Sequence, residues 1–123
     1  MFKSNTDTLT LIGQSGTRYT FRMCEFDQLQ AIDVAVKDFV KAGLYLFALR
    51  YTKPNDPRYW YSIKYIGETE NYSQRNYGNH HKRKEIEEAH ANSWGYCIIT
   101  DSDDKRKEDE IDLISRYNPP CNG

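Results

Sequence analysis

The chain has 123 residues and a mass of 14.5 kDa, room for one domain and no second. Hydrophobic residues make up 38% and there are ten tyrosines, enough for a small core, which excludes a disordered chain. The 17 basic and 18 acidic side chains give a formal net charge of -1, so nucleic-acid binding cannot rest on a basic whole-chain footprint and needs local patches.

No apolar run approaches the roughly 18–20 residues of a membrane span, and the opening residues lack a signal peptide's hydrophobic block. The three cysteines, Cys24, Cys97 and Cys121, are far apart and odd in number. They argue against a disulfide scaffold and fit a reducing, cytoplasmic setting.

In chain order, Thr8 to Cys24 reads as a hairpin. Leu9, Leu11, Tyr19, Phe21 and Met23 alternate with polar residues around a Gly13-Gln14-Ser15-Gly16 turn. Asp27 to Lys41 predicts a helix, with Leu29, Ile32, Val36 and Phe39 at helical spacing and Asp27 as N-cap. Leu44 to Tyr51 is apolar on both faces, as a strand covered on both sides is. Thr52 to Pro57 holds two prolines and predicts a loop, a long connection to a second strand over Arg58 to Ile66 that ends at Gly67. Short helices are expected at Asn71 to Tyr77 and His81 to Asn92, a strand at Trp94 to Thr100, and a final helix at Lys105 to Tyr117. The acidic loop Asp101 to Asp104 would cap that helix and Pro119-Pro120 would stop it.

Four features carry chemistry. Glu110, Leu113, Ile114 and Tyr117 form one stripe on the last helix, apolar except at Glu110. A carboxylate there must be exposed at the stripe's edge, paired (Arg106 is one turn earlier) or metal-bound. Tyr65-Ile66-Gly67 ends a strand and is followed by Arg75, a residue suited to bidentate phosphate contact or, more blandly, to a solvated surface. Gly43-Leu44-Tyr45 opens a strand, where a lone tyrosine is usually packing. The basic run Asn79 to Lys84, with His80, His81, Lys82 and Arg83, reads as a solvated helix face or a nucleic-acid contact. Adjacent histidines point about 100° apart on a helix and rarely share a metal.

Taken in order, these residues resemble the GIY-YIG nuclease superfamily. Gly43-Leu44-Tyr45 is similar to the first half-motif and Tyr65-Ile66-Gly67 to the second. Arg75 lies where the family's arginine is expected, and Glu110 and the Asn118 to Asn122 segment match its metal-binding glutamate and terminal asparagine. The resemblance spans residues 43 to 122. Three departures stand out: Tyr45 and Tyr65 are 20 positions apart, the family's histidine position holds Asn79 with His80 one later, and Glu68 replaces an often basic residue.

The resemblance implies a small α/β domain, a central antiparallel sheet flanked by helices, with residues 1–42 as an added hairpin and helix. It implies hydrolysis of a DNA phosphodiester with one divalent metal, Mg²⁺ or Mn²⁺, on Glu110. Arg75 would hold the phosphate, Tyr45 would accept the water's proton with Tyr65 orienting that water, and His80 could relay the proton instead. If His80 did so, activity would rise through a pKa near 6.5. Asn122 would close the site. Tyr59-Trp60-Tyr61 lies in the enlarged hairpin, and strand alternation sets Trp60 and Lys64 opposite Tyr65. Trp60 would then be free to stack an unpaired base, favouring single-stranded or flap DNA. The alternatives are a non-catalytic nucleic-acid-binding module and a protein-interaction domain docking through Asp101 to Asp104. A protein partner would also supply the specificity that so small a domain lacks.

Overall fold

A computed structural model describes residues 7–123; the part of the expected N-terminal extension before Asp7 lies outside them. Five strands form one antiparallel sheet in the order β1-β2-β5-β3-β4: β1 (Thr8–Ile12), β2 (Arg18–Glu25), β3 (Gly43–Lys53), β4 (Asp56–Thr69) and β5 (Ser93–Ile98). Three helices complete the fold: α1 (Leu29–Ala35), α2 (Arg83–Glu88) and α3 (Asp103–Tyr117). Short 3₁₀ turns sit at Tyr72–Gln74, Tyr77–Asn79 and Pro120–Asn122. The N-terminal hairpin extends the sheet, because β2 pairs with β5 from Arg22↔Tyr96 to Glu25↔Ser93. Among the described residues no helix is long and apolar enough to cross a membrane.

Both faces of β3 are covered, as its double apolar pattern requires. On one face Tyr45 and Phe47 pack with Tyr65, Tyr72, Tyr77, Trp94 and the α1 residues Leu29 and Ile32. On the other, Leu44, Leu46 and Ala48 pack with Phe21, Met23, Ile66 and Leu113 of α3. Helix α3 starts where the Ser102 hydroxyl accepts the Lys105 N–H at 3.1 Å. That cap is a serine and not one of the loop aspartates. It ends at Asn118, in the left-handed region, ahead of Pro119. Asp112 on α3 holds the first hairpin turn by accepting the Ser15 N–H and hydroxyl, both at 2.7 Å.

Three expectations are corrected. The segment Thr52 to Pro57 is no long loop: both strands run on, and Lys53 pairs with Asp56 across a two-residue Pro54-Asn55 turn. Pro54 presets its own φ, and Asn55 takes φ 61°, where asparagine is tolerated. Pro57 falls on the edge strand, where a missing N–H is least costly. Helix α1 is seven residues long, stopping well before Lys41. Its run contains Val34, Val36, Asp33 and Asp38, all weak helix formers, and Asp33 is used elsewhere: its carboxylate accepts the N–H groups of Tyr77 and Gly78 at 2.6 and 2.8 Å. Helix α2 is shorter than the His81 to Asn92 reading because the Lys82 N–H turns aside to the His80 ring, and His90 closes the other end at φ 61°.

A fourth correction changes which side chains share a face. Phe47 pairs with Tyr65 but Ala48 pairs with Ile63, so Lys64 is an extra residue, a β-bulge. Past the bulge the alternation of β4 reverses. Tyr61 and Ile63 join the α3 face, opposite Tyr65. Trp60, paired with Tyr51, comes round to the face of Tyr45 and Tyr65.

Asp33 clamps the turn that leads to His80. Asp33→Ala leaves two N–H groups without an acceptor and should cost about 2 kcal/mol in urea unfolding, at roughly 1 kcal/mol per hydrogen bond. Asp33→Asn keeps an acceptor and should recover part of it. No loss in either variant would remove the clamp's role.

Candidate active site

The site grows from β3. Tyr45 is on that central strand and wholly buried. Its ring lies against Gly67 on β4: a Cβ at Gly67 would come within 2.5 Å of the Tyr45 ring and 2.6 Å of its hydroxyl. Gly43, two pairs along, also answers to crowding, since a Cβ there would overlap the Cys97 carbonyl and the Tyr72 hydroxyl. The Tyr72 hydroxyl donates at 2.7 Å to the Leu44 carbonyl. The two glycines of the half-motifs therefore answer to close approach.

Two groups converge on the Tyr45 hydroxyl. Arg75 Nε donates at 3.1 Å, and His80 Nε2 lies at 2.7 Å. The Lys82 backbone N–H donates to His80 Nδ1 at 3.0 Å. Nδ1 is therefore the acceptor nitrogen, and we assign the ring proton to Nε2, which donates to Tyr45. Burial, then Arg75 and His81, push the His80 pKa down to about 3, so the ring is neutral across the physiological range. A relay through His80 with a limb near 6.5 is disfavoured by this shift. With both acceptor positions filled, the Tyr45 proton is left for the neighbouring Tyr65 side chain, which, second to burial, raises the Tyr45 pKa.

The donors thus run in one direction, from Lys82 through His80 and Tyr45 to Tyr65. Tyr45 is held well above an ordinary phenol, chiefly by burial and then by Tyr65, with Arg75 opposing. Tyr65 is also raised, by burial and by the charge of Glu110, while Tyr45 and Arg75 act against that. Tyr65 is 7% exposed against 0% for Tyr45.

Glu110 comes from α3, the helix on the other face. Burial raises its pKa first and the Glu68 carboxylate second; the Glu68 backbone, Arg75 and Lys107 oppose. It does not pair with Arg106, which binds Glu68 at 3.4 Å and also Asp103. The structure therefore brings together Tyr45, Tyr65, Arg75, His80 and Glu110. Beside Arg75 lies a groove of about 420 Å³ lined by Thr69, Glu70, Asn71 and Gln74.

The expected DNA contacts are placed differently. Asn122 spends its amide on the β4 edge, accepting the Ile66 N–H at 2.9 Å and donating to the Ile66 carbonyl at 2.8 Å. It ties the tail to the strand that carries Tyr65. Lys82 donates to the Gly123 carbonyl at 3.0 Å, and Arg83 to the Gly78 carbonyl at 2.7 Å. His81 is exposed and stacks on His80, with ring centroids 4.6 Å apart. Lys64 is the bulge residue, and Trp60 is far along the hairpin. Sequence reasoning missed Asp33 and the groove residues. An aspartate inside a helical apolar pattern was the available signal for the first.

Gly67→Ala should displace Tyr45 and destabilise the fold by about 1–3 kcal/mol, the range for core overpacking. A second expectation concerns acid. Below about pH 6.5 an unfolded histidine binds a proton that folded His80 refuses until about pH 3, so His80 removes stability as pH falls through that window. In His80→Gln the fall in stability from pH 6.5 to 4 should be shallower, by at most about 1.4 kcal/mol per pH unit. Identical slopes in urea titrations would show that His80 is not buried neutral.

No protein-family model matches the chain, and no curated protein or solved structure matches it. The functional reading therefore stands on the site's own geometry.

Proposed function

We propose that the protein is a divalent-metal-dependent endonuclease that hydrolyses DNA phosphodiester bonds, acting as the GIY-YIG nucleases it resembles do. One observation carries this reading. A buried chain of hydrogen bonds runs from the Lys82 N–H through His80 to the Tyr45 hydroxyl, Arg75 binds the same hydroxyl, and the half-buried Glu110 carboxylate acts by its charge on the neighbouring Tyr65. An apolar core would be as stable without so many buried polar groups, and a carboxylate near Arg75 would hinder a module that only binds phosphate.

The donor set suits a hard cation. Glu110 makes none of the described ion pairs and has the Glu68 carboxylate and Tyr65 hydroxyl as oxygen neighbours. No group of three or more His, Cys, Asp or Glu side chains gathers among the described residues. One carboxylate, with water and phosphate oxygens filling the rest, matches Mg²⁺ or Mn²⁺ better than zinc. When bound, such an ion supplies Lewis-acid stabilisation of charge on the leaving oxygen.

The chain's own residues do the rest. Arg75 binds the scissile phosphate and offsets charge growing on its oxygens. Tyr65, in its deprotonated tyrosinate form, takes a proton from the attacking water as the water oxygen bonds to phosphorus, and the bond to the 3′ oxygen breaks, that oxygen leaving as an alkoxide protonated from solvent. Tyr45 was the expected base, but its acceptor positions are occupied by Arg75 and His80, so its role becomes positioning and polarising Tyr65. His80 fixes Tyr45 and stays a neutral imidazole, its one proton on Nε2, between pH 5 and 8. The free thiols suit a cytoplasmic site of action.

The test is cleavage of duplex, branched and single-stranded DNA with Mg²⁺ or Mn²⁺. Glu110→Gln should abolish cleavage and leave DNA binding intact or tighter. Arg75→Lys keeps charge but loses the planar fork, and should lower turnover more than affinity. Tyr65→Phe should lose roughly 10²-fold or more, the scale of general-base catalysis. Activity should keep rising above pH 8 with no limb near 6.5. Full cleavage by Glu110→Gln would sink the reading, and a limb near 6.5 lost in His80→Gln would restore the histidine as base.

A further inference from the structure

The β3–β4 hairpin continues past the sheet. Strand β5 leaves β3 after the Ala48↔Ser93 pair, and the Asn92 amide covers only Arg50 beyond it. From Tyr51 to Trp60 the hairpin is a two-stranded ribbon closed by Pro54-Asn55. The Lys64 bulge decides which way it faces. Because β4 shifts phase there and β3 does not, Tyr51, Lys53 and Trp60 continue the face that carries Tyr45, Phe47 and Tyr65. One stripe therefore runs from the hydroxyl cluster to the ribbon tip. Tyr45 and Tyr51 are six positions apart on β3, roughly 20 Å of strand.

The tip of that stripe is cationic and preorganised. The Lys53 ammonium lies 3.6 Å over the Trp60 ring, and the Arg58 guanidinium 4.9 Å from it. Asp56 accepts from Trp60 Nε1 at 3.1 Å and takes Nε and Nη2 of Arg58, leaving Nη1 of an exposed side chain. Both Asp56 oxygens are thus used within the ribbon. Lys64 adds a third cation at the bulge. In a chain of net charge -1 this ribbon carries a local positive excess on the site's face.

We infer that the ribbon is an arm that grips the phosphate backbone of duplex DNA about six base pairs from the cut. The inference rests on the nuclease reading for its reference point. The distance follows from 3.4 Å of rise per nucleotide over roughly 20 Å. A two-stranded ribbon also matches the width of the major groove. Duplex is favoured over single strands because Trp60 has no open invitation to a base: Lys53 covers the ring and Asp56 holds its N–H. This replaces the sequence-based expectation of an unpaired base stacked on Trp60.

The experiment measures DNA affinity for the full chain against salt, with no cleavage step: Ca²⁺ replaces Mg²⁺, and the probes are a 24-base-pair duplex and a single strand of equal length. Lys53→Gln with Arg58→Gln should weaken duplex binding and flatten the plot of log affinity against log salt by about 0.9 per lost phosphate contact, about 1.8 for the pair. Lys53→Glu alone should weaken binding further than Lys53→Gln. Melting temperature should be unchanged, since both side chains are at the tip; a variant that melts early is replaced by Lys53→Glu in the comparison. An unchanged slope in variants that still bind overturns the arm while leaving the nuclease reading in place. A loss larger on the single strand overturns the choice of duplex. A ribbon-dependent slope in a protein that never cleaves DNA would keep the arm and discard the nuclease. If the wild-type chain binds neither probe, both fall.

Discussion

The Tyr45 hydroxyl oxygen has two acceptor positions, and Arg75 and His80 fill both. The rest of the site follows from that occupancy. The Tyr45 proton can go only outward, toward Tyr65, so one phenol is made a fixed donor and the other the end of the chain. A buried network of this kind holds only if each member is satisfied. The Lys82 N–H satisfies the far nitrogen of His80, Asp33 clamps the turn before it, and Gly67 leaves room for the Tyr45 ring.

The sheet's two covered faces explain how so small a chain gathers five functional groups. Tyr45, Tyr65, Arg75 and His80 lie on the side of α1 and α2, while Glu110 belongs to α3 across the sheet. Arg106 might be expected to neutralise Glu110 but is drawn to Glu68 and Asp103. Glu110 sits in a desolvated position beside a second carboxylate, and both raise its pKa. Such a placement weakens the fold.

The tail and the N-terminal hairpin are bound to the same frame. Asn122 acts as one rung of a sixth strand against Ile66, holding the strand that ends in Tyr65 and Gly67. Asp112 of α3 grips the β1–β2 turn, and the Tyr19 hydroxyl donates to both Asp109 and Asp112. Residues from Asp7 to Val40 are thereby part of the sheet and its cover, since β2 hydrogen-bonds β5 and Asp33 reaches the site's turn.

By itself the sequence determined the five strands, three of the four expected helices and their order, because hydrophobic period and turn residues are local; the helix expected at Asn71 to Tyr77 is a 3₁₀ turn at Tyr72–Gln74. The alternation in Thr8 to Cys24, the double-sided run Leu44 to Tyr51 and the stripe Leu113, Ile114, Tyr117 all appear where expected. It also named the residues that converge, Tyr45, Tyr65, Arg75, His80 and Glu110, since motif order survives without coordinates. Tertiary structure alone decided how they are bonded to one another. A proton's position depends on which neighbour donates, and the Lys82 N–H that sets the His80 tautomer leaves no mark in the sequence. The phase of a strand is likewise non-local. One extra residue, Lys64, is defined only by its partners Phe47 and Ala48 on the facing strand, and it carries Trp60 from one face of the sheet to the other.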